Sequence, residues 1–275
     1  MTGEAAPRDA AAAGIRAGIG ALLRGEKIGE EPPPARREHS RTGGVVEAFG
    51  GFCAFAIRRT CRDLIPGRDL DAEIAGALDS LRRTESPDPG LQPAQGMGLE
   101  DLVVLDLETA GFWGCPVFLV GMLLAEEGRL ITLQLLARDY PEEAAIVGAT
   151  ATVLASRELL VTFNGKSFDV PFLAERALVH QIVPATGHRK HVDVLHPARR
   201  RYAGELPDCR LQTLERHVAG IHRVGDLPSA EIPAAYHAFA ASGRLEELAR
   251  VLHHSRVDLL ATALLFAALA RSNGG

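Results

Sequence analysis

The stretch Leu102-Val103-Val104-Leu105-Asp106-Leu107-Glu108-Thr109 decides how this chain is read. Four apolar residues followed by acids alternating with an apolar residue describe a buried strand that ends in carboxylates. Side chains two apart on a strand project from the same face, so Asp106 and Glu108 share one. Two such acids repel each other and resist desolvation unless a cation compensates them. The same pair also suits a strand end that reaches water. On this pair alone both readings stand.

Working outward, residues 117–125 and 130–136 read as two further strands, joined by the turn Glu126-Glu127-Gly128. Pro141-Glu142-Glu143 opens a helix to about Ser156, because proline and acids suit a first turn. Residues 159–163 form a fourth strand closed by Asn164-Gly165, and a helix over 167–179 follows. A short fifth strand covers 191–195. Residues 196–270 are helical, broken near Pro207, Gly225 to Pro228, Pro233 and Gly243. Three hairpin-linked strands followed by alternating helix and strand predict a mixed five-stranded α/β sheet, not a doubly wound parallel one.

The rest of the chain divides into three parts. Residues 1–44 read as an extension with a helix over 10–24 and a basic, proline-containing linker (Pro32 to Pro34, Arg36, Arg37, His39, Arg41). Residues 45–98 form a small segment, with a strand or two and a short helix within 45–83 and a loop over 85–98. Residues 99–272 form the main domain. The apolar run 259–270 is about half of what a membrane span requires, and so predicts a buried helix. Cys53, Cys61, Cys115 and Cys209 form no C-x-x-C pair, and with no signal-peptide pattern they suggest a reducing, cytoplasmic setting. With 30 Lys and Arg against 35 Asp and Glu, the net charge is −5, which argues against a protein that coats nucleic acid.

Two more acids carry the chemistry further. Asp169 follows Phe163-Asn164-Gly165-Lys166-Ser167-Phe168 at a strand-to-helix junction, where an acid also serves the helix dipole. Asp258 lies in an otherwise apolar helix, so it requires a partner or an ion. In a continuous helix His254 and Asp258 form an i, i+4 pair, and His253 points elsewhere.

The strings LDLETAGF (105–112), FNGKSFDVPFL (163–173), HVDVLHPARR (191–200), CRLQTLE (209–215) and HHSRVD (253–258) resemble, in that order, the YprB-like branch of the RNase H-like exonucleases, within the DEDD exonuclease superfamily. The resemblance covers roughly residues 100–270. It implies an RNase H-like fold and a metal-dependent 3′→5′ exonuclease acting on DNA or RNA ends. Asp106 and Glu108 match the first DEDD motif, Asp169 the second and Asp258 the third. His254 matches the histidine four residues before the last acid, and His253 fits the alternative spacing of five. Ala110, Val170 and Ser255 depart from the family pattern without removing a ligand.

The implied cofactor is two Mg²⁺ or Mn²⁺ ions on Asp106, Glu108, Asp169 and Asp258, with His254 orienting or deprotonating water. Two divalent ions would take the net charge to about −1, so the acid excess partly belongs to the site. For substrate contact the resemblance and position suggest Thr109, Asn164, Lys166 and Phe112. Asn-Gly is equally good turn chemistry, and Phe112 and Trp113 suit packing as well as base stacking. Arg199, Arg200 and Arg201 suit phosphates or a solvated helix face, Asp193 a site or a structural role, and His191 and His196 core positions. The expected partner is nucleic acid, with no membrane. Two other classes stand beside the enzyme: a non-catalytic nucleic-acid-binding module, and a scaffold in a repair or RNA-processing complex.

Overall fold

The computed structural model describes residues 43–61, 65, 67–184, 190–244 and 246–272. The expected helix over 10–24 and the linker after it lie outside them. Within them, seven strands form one sheet: β1 Val45–Phe49, β2 Phe52–Thr60, β3 Leu102–Thr109, β4 Val117–Glu126, β5 Arg129–Leu136, β6 Leu159–Thr162 and β7 Lys190–Asp193. Their order is β1-β2-β5-β4-β3-β6-β7. β3 pairs parallel with β6, and β6 with β7, while the remaining pairs are antiparallel.

The three hairpin-linked strands and the parallel pair therefore form as expected, but the sheet has seven strands and not five. β1 and β2 account for the difference, since β2 aligns with β5 from Phe55↔Leu136 to Thr60↔Ile131. That pairing joins segments some seventy residues apart, and local periodicity carries no sign of it. The β4–β5 hairpin turns through Glu127 and Gly128, both at positive φ (51° and 75°), as a two-residue turn of this twist requires.

The helices are α1 Leu70–Arg83, α2 Glu143–Ala155, α3 Asp169–Val179, α4 Leu195–Tyr202, α5 Leu211–Leu214, α6 Ile232–Ser242 and α7 Glu246–Ser272. A π-helical turn, Glu215–Ala219, follows α5 and ends at Gly220 in the left-handed region. The apolar run 259–270 is the buried second half of α7, and among the described residues no helix is long and apolar enough to cross a membrane. The segment 85–98 has no strand or α-helix, yet Leu91 and Ala94 are buried and pack with α1.

β3 is covered on both faces. Leu102 and Val104 pack with α1 and the second half of α7, and Val103 and Leu105 join the core that includes α2. Each fully buried side chain of this size stabilises the fold by about 1.5–3 kcal/mol. By strand parity, Asp106 and Glu108 lie on the face of Leu102 and Val104, beneath α7.

α7 is seated on one row of the sheet. Asp106 aligns with Gly121, and Gly121 with Gln134. The buried Gln134 amide donates to the Leu252 carbonyl of α7 at 2.9 Å. Gly121 leaves room for the next turn of the same helix, because a Cβ there would lie 2.6 Å from Ser255 Oγ.

Candidate active site

The seating of α7 decides which side chains meet. Ser255 lies against Asp106, and one turn on, Asp258 faces the acids of β3. Asp169 arrives from the other direction as the first residue of α3, and its Oδ1 accepts from the backbone N–H of Leu107 at 3.2 Å. The structure thus brings Asp106, Glu108, Asp169 and Asp258 into one cluster. The loop before α3 is held by Asp193, which accepts from the backbone N–H of Asn164, Lys166 and Leu195 at 2.8, 3.0 and 3.2 Å.

Burial and mutual repulsion dominate the electrostatics. Burial raises Asp106 well above the usual carboxylate range, and Asp258, Glu108 and Asp169 add to it by repulsion. Glu108 is raised by the same cause, with repulsion from Asp258, Asp169 and Asp226 and partial relief from Arg223. Burial pushes Asp169 up to about 7, although its own backbone N–H and that of Leu107 pull it down. Asp106 Oδ2 is buried without a hydrogen-bond partner. An orphaned acid oxygen among repelling carboxylates, on a donor set of hard oxygens, fits a hard divalent cation. Among the described residues, no three acid, imidazole or thiol groups stand close enough together to hold a metal ion as they are.

His254 belongs to the cluster and His253 does not. His254 is 3% exposed, with Nδ1 2.9 Å from Asp226 Oδ1 and Nε2 3.5 Å from Asp258 Oδ2. His253, on the adjacent helical position, is exposed. The expected i, i+4 pair is therefore the observed one.

Three charged residues of the cluster escaped the sequence reading: Glu215, Arg223 and Asp226. Arg223 donates to Glu215, Asp226 and Asp258. Its guanidinium is held above its ordinary value, since Glu215 and Asp258 outweigh the opposing effect of burial. Asp226 is held below its usual range because hydrogen bonds from His254 and Arg223 outweigh burial. Glu215 closes the string CRLQTLE, but nothing local separates it, or Arg223 and Asp226, from surface charge.

The remaining candidates divide by position. A cavity of about 130 Å³ opens beside Glu108, Thr109 and Asp169, walled by Phe168, Phe172, Ile232 and Pro233. Thr109 Oγ1 donates to the Gly111 carbonyl at 2.6 Å, and Phe112 beyond it is 89% exposed. Trp113 packs on Phe172 and Phe168, with ring centroids 5.0 and 6.0 Å apart. Asn164 occupies the left-handed region (φ 61°), so its position serves the turn, and the Lys166 side chain is exposed.

His191 is satisfied by Thr162 at 2.9 Å, but His196 is exposed and not a core residue, because it lies on the outer side of α4. Arg199, Arg200 and Arg201 line that exposed side, Arg200 pairing with Asp88 and Arg201 with Glu205 at 2.7 Å. They form a solvated helix face.

A family model of the RNase_H superfamily matches residues 103–270. The uncharacterized protein YprB of Bacillus subtilis (strain 168) is 31% identical over 177 residues, 63% of this chain and 43% of that protein. The chain thus matches under half the length of this relative. Among solved structures, the family B DNA polymerase of the archaeon Pyrobaculum calidifontis is similar at a TM-score of 0.48 and 13% identity, over 59% of this chain and 23% of the polymerase.

Proposed function

Because the chain belongs to the RNase_H superfamily, whose nucleases generally use divalent metals, we propose that it is a metal-dependent 3′→5′ exonuclease of the DEDD type. The observation that carries this reading is the half-buried, mutually repelling set Asp106, Glu108, Asp169 and Asp258 with its orphaned Asp106 oxygen. Asp106, Glu108 and Asp258 would hold one Mg²⁺ or Mn²⁺ ion, and Asp106 with Asp169 a second. Bound there, the two ions would supply positive charge against the attacking and leaving oxygens of an in-line displacement at phosphorus.

The protein's own groups do the rest. Asp226, ionised because it is held below its usual range, accepts from His254 Nδ1–H and fixes the tautomer. Nε2, 3.5 Å from Asp258 Oδ2, would then be the acceptor for the proton of the attacking water. Phe112, Trp113 and Phe168 offer exposed aromatic faces beside the acids, suited to stacking on the bases of a single-stranded end. Lys166, exposed on the loop before α3, would meet a phosphate, and Thr109 borders the cavity beside Glu108.

The test uses purified full-length protein with 5′-end-labelled single-stranded DNA and RNA, in Mg²⁺, Mn²⁺ or EDTA. A ladder shortening from the 3′ end, abolished by EDTA, is expected. Binding without cleavage in either metal would replace this reading with the non-catalytic module.

A further inference from the structure

Asp258 is needed as a metal ligand, yet one of its oxygens is already engaged. Arg223 Nη2 donates to Asp258 Oδ1. The same guanidinium grips Glu215 through Nε at 2.6 Å and Nη2 at 2.5 Å, reaches Asp226 through Nη1 at 2.9 Å, and lies 3.4 Å from His254 Nδ1. The Arg223 side chain is 8% exposed and that of Glu215 3%.

These contacts are not equivalent. The two-pronged pair with Glu215 matches the guanidinium fork to a carboxylate. Glu215 is the more deeply buried acid, so this pair anchors the arginine from the π-helical turn. Asp258 is less buried, at 19%, and receives a single contact, from the same Nη2 that forms one prong of the Glu215 pair. That contact is the one able to break while the anchor persists. A guanidinium does not shed its proton in a protein, so its charge stands against any divalent ion that approaches Asp258.

Resting on the metal reading above, we propose that Arg223 is an internal counter-cation that competes with a divalent ion for Asp258. The ion loads on the Asp258 side as the guanidinium releases Asp258 Oδ1 and keeps Glu215. Loading of the Asp106 and Asp169 side involves no such exchange. The chain therefore binds divalent ions in two unequal steps, the weaker set by Arg223.

The test is a Mn²⁺ titration of the full chain without nucleic acid, with free Mn²⁺ read by electron paramagnetic resonance. Wild type is compared with the double variant Glu215→Gln/Arg223→Gln. This pair removes one charge of each sign, so the cluster keeps its net charge, and the two buried amides can still pair. The weaker step should tighten by about tenfold or more, while the tighter step moves by less than about threefold. If the double variant does not fold, Arg223→Lys substitutes for it, because an ammonium cannot grip Glu215 with two prongs and reach Asp258 together. It should tighten the same step by about threefold or more. An unchanged or loosened weaker step overturns the proposal and leaves the metal reading standing. Absence of Mn²⁺ binding in wild type and variants alike overturns both.

Discussion

Gly121 and Ser255 touch across the sheet–helix interface so closely that glycine alone fits: a Cβ at 121 would lie 2.6 Å from Ser255 Oγ and 3.1 Å from Leu259 Cδ1. Because Gly121 is the strand partner of Asp106, this contact sets the height of α7 over the acid cluster. Gly121→Ala should cost about 1–3 kcal/mol by overpacking and weaken Mn²⁺ binding by shifting Asp258. Urea unfolding and a Mn²⁺ titration check the two effects together. Adding Ser255→Ala should restore part of both, since it removes the nearest atom.

The pH dependence of the metal-free protein follows from the buried acids. Asp169 rises from an ordinary 3.8 to about 7 on folding, so the folded state holds the proton more tightly than the unfolded chain. Stability from this group is complete below about 3.8 and is lost as pH rises towards 7. Asp106 and Glu108, both raised, act in the same direction. The melting temperature without metal should therefore fall between pH 5 and pH 7. Asp169→Asn should flatten that fall, and saturating Mg²⁺ should reduce it in wild type. A melting temperature that rises over this interval in EDTA would contradict the electrostatics described above.

The aromatic ledge should matter for binding more than for chemistry. Trp113→Ala and Phe168→Ala are each expected to weaken single-stranded binding by about 1–3 kcal/mol. The change should appear mainly in KM, with little change in the dependence of affinity on salt, because no phosphate contact is lost. Filter binding at several salt concentrations separates the two.

Glu143 gives a control for stability apart from the site. It is 2% exposed and accepts from the Val117 N–H at 2.8 Å, from Arg176 at 2.7 Å and from His180. Glu143→Ala leaves Arg176 without its partner and should cost about 3–5 kcal/mol. Mn²⁺ affinity measured well below the melting temperature should stay within about twofold, because Glu143 is not among the charges that perturb the acid cluster.

Much of this was legible in the sequence because it is local. The apolar run before Asp106 announces a buried strand, the turn residues Glu127 and Gly128 a hairpin, and the spacing of His254 and Asp258 a shared helix face. β1 and β2 were not placed, since their partner β5 lies far along the chain. The cluster was half legible for the same reason. Asp106, Glu108, Asp169 and Asp258 occupy recognisable strings, whereas Glu215, Arg223 and Asp226 become site residues only when the π-helical turn and the loop after it fold over α7. A charged residue in such a segment has no local mark that it will be buried.

On the proposed function, the acid cluster holds the cations needed to cut nucleic acid. The most direct test compares wild type with Asp106→Asn for Mg²⁺-dependent shortening of a 5′-labelled single strand. Folding is checked by thermal melting, and binding to the strand is measured in EDTA. The variant is expected to fold, to bind the strand and to lose at least about a hundredfold in cleavage rate. A folded Asp106→Asn chain that cleaves at the wild-type rate would contradict the proposed function.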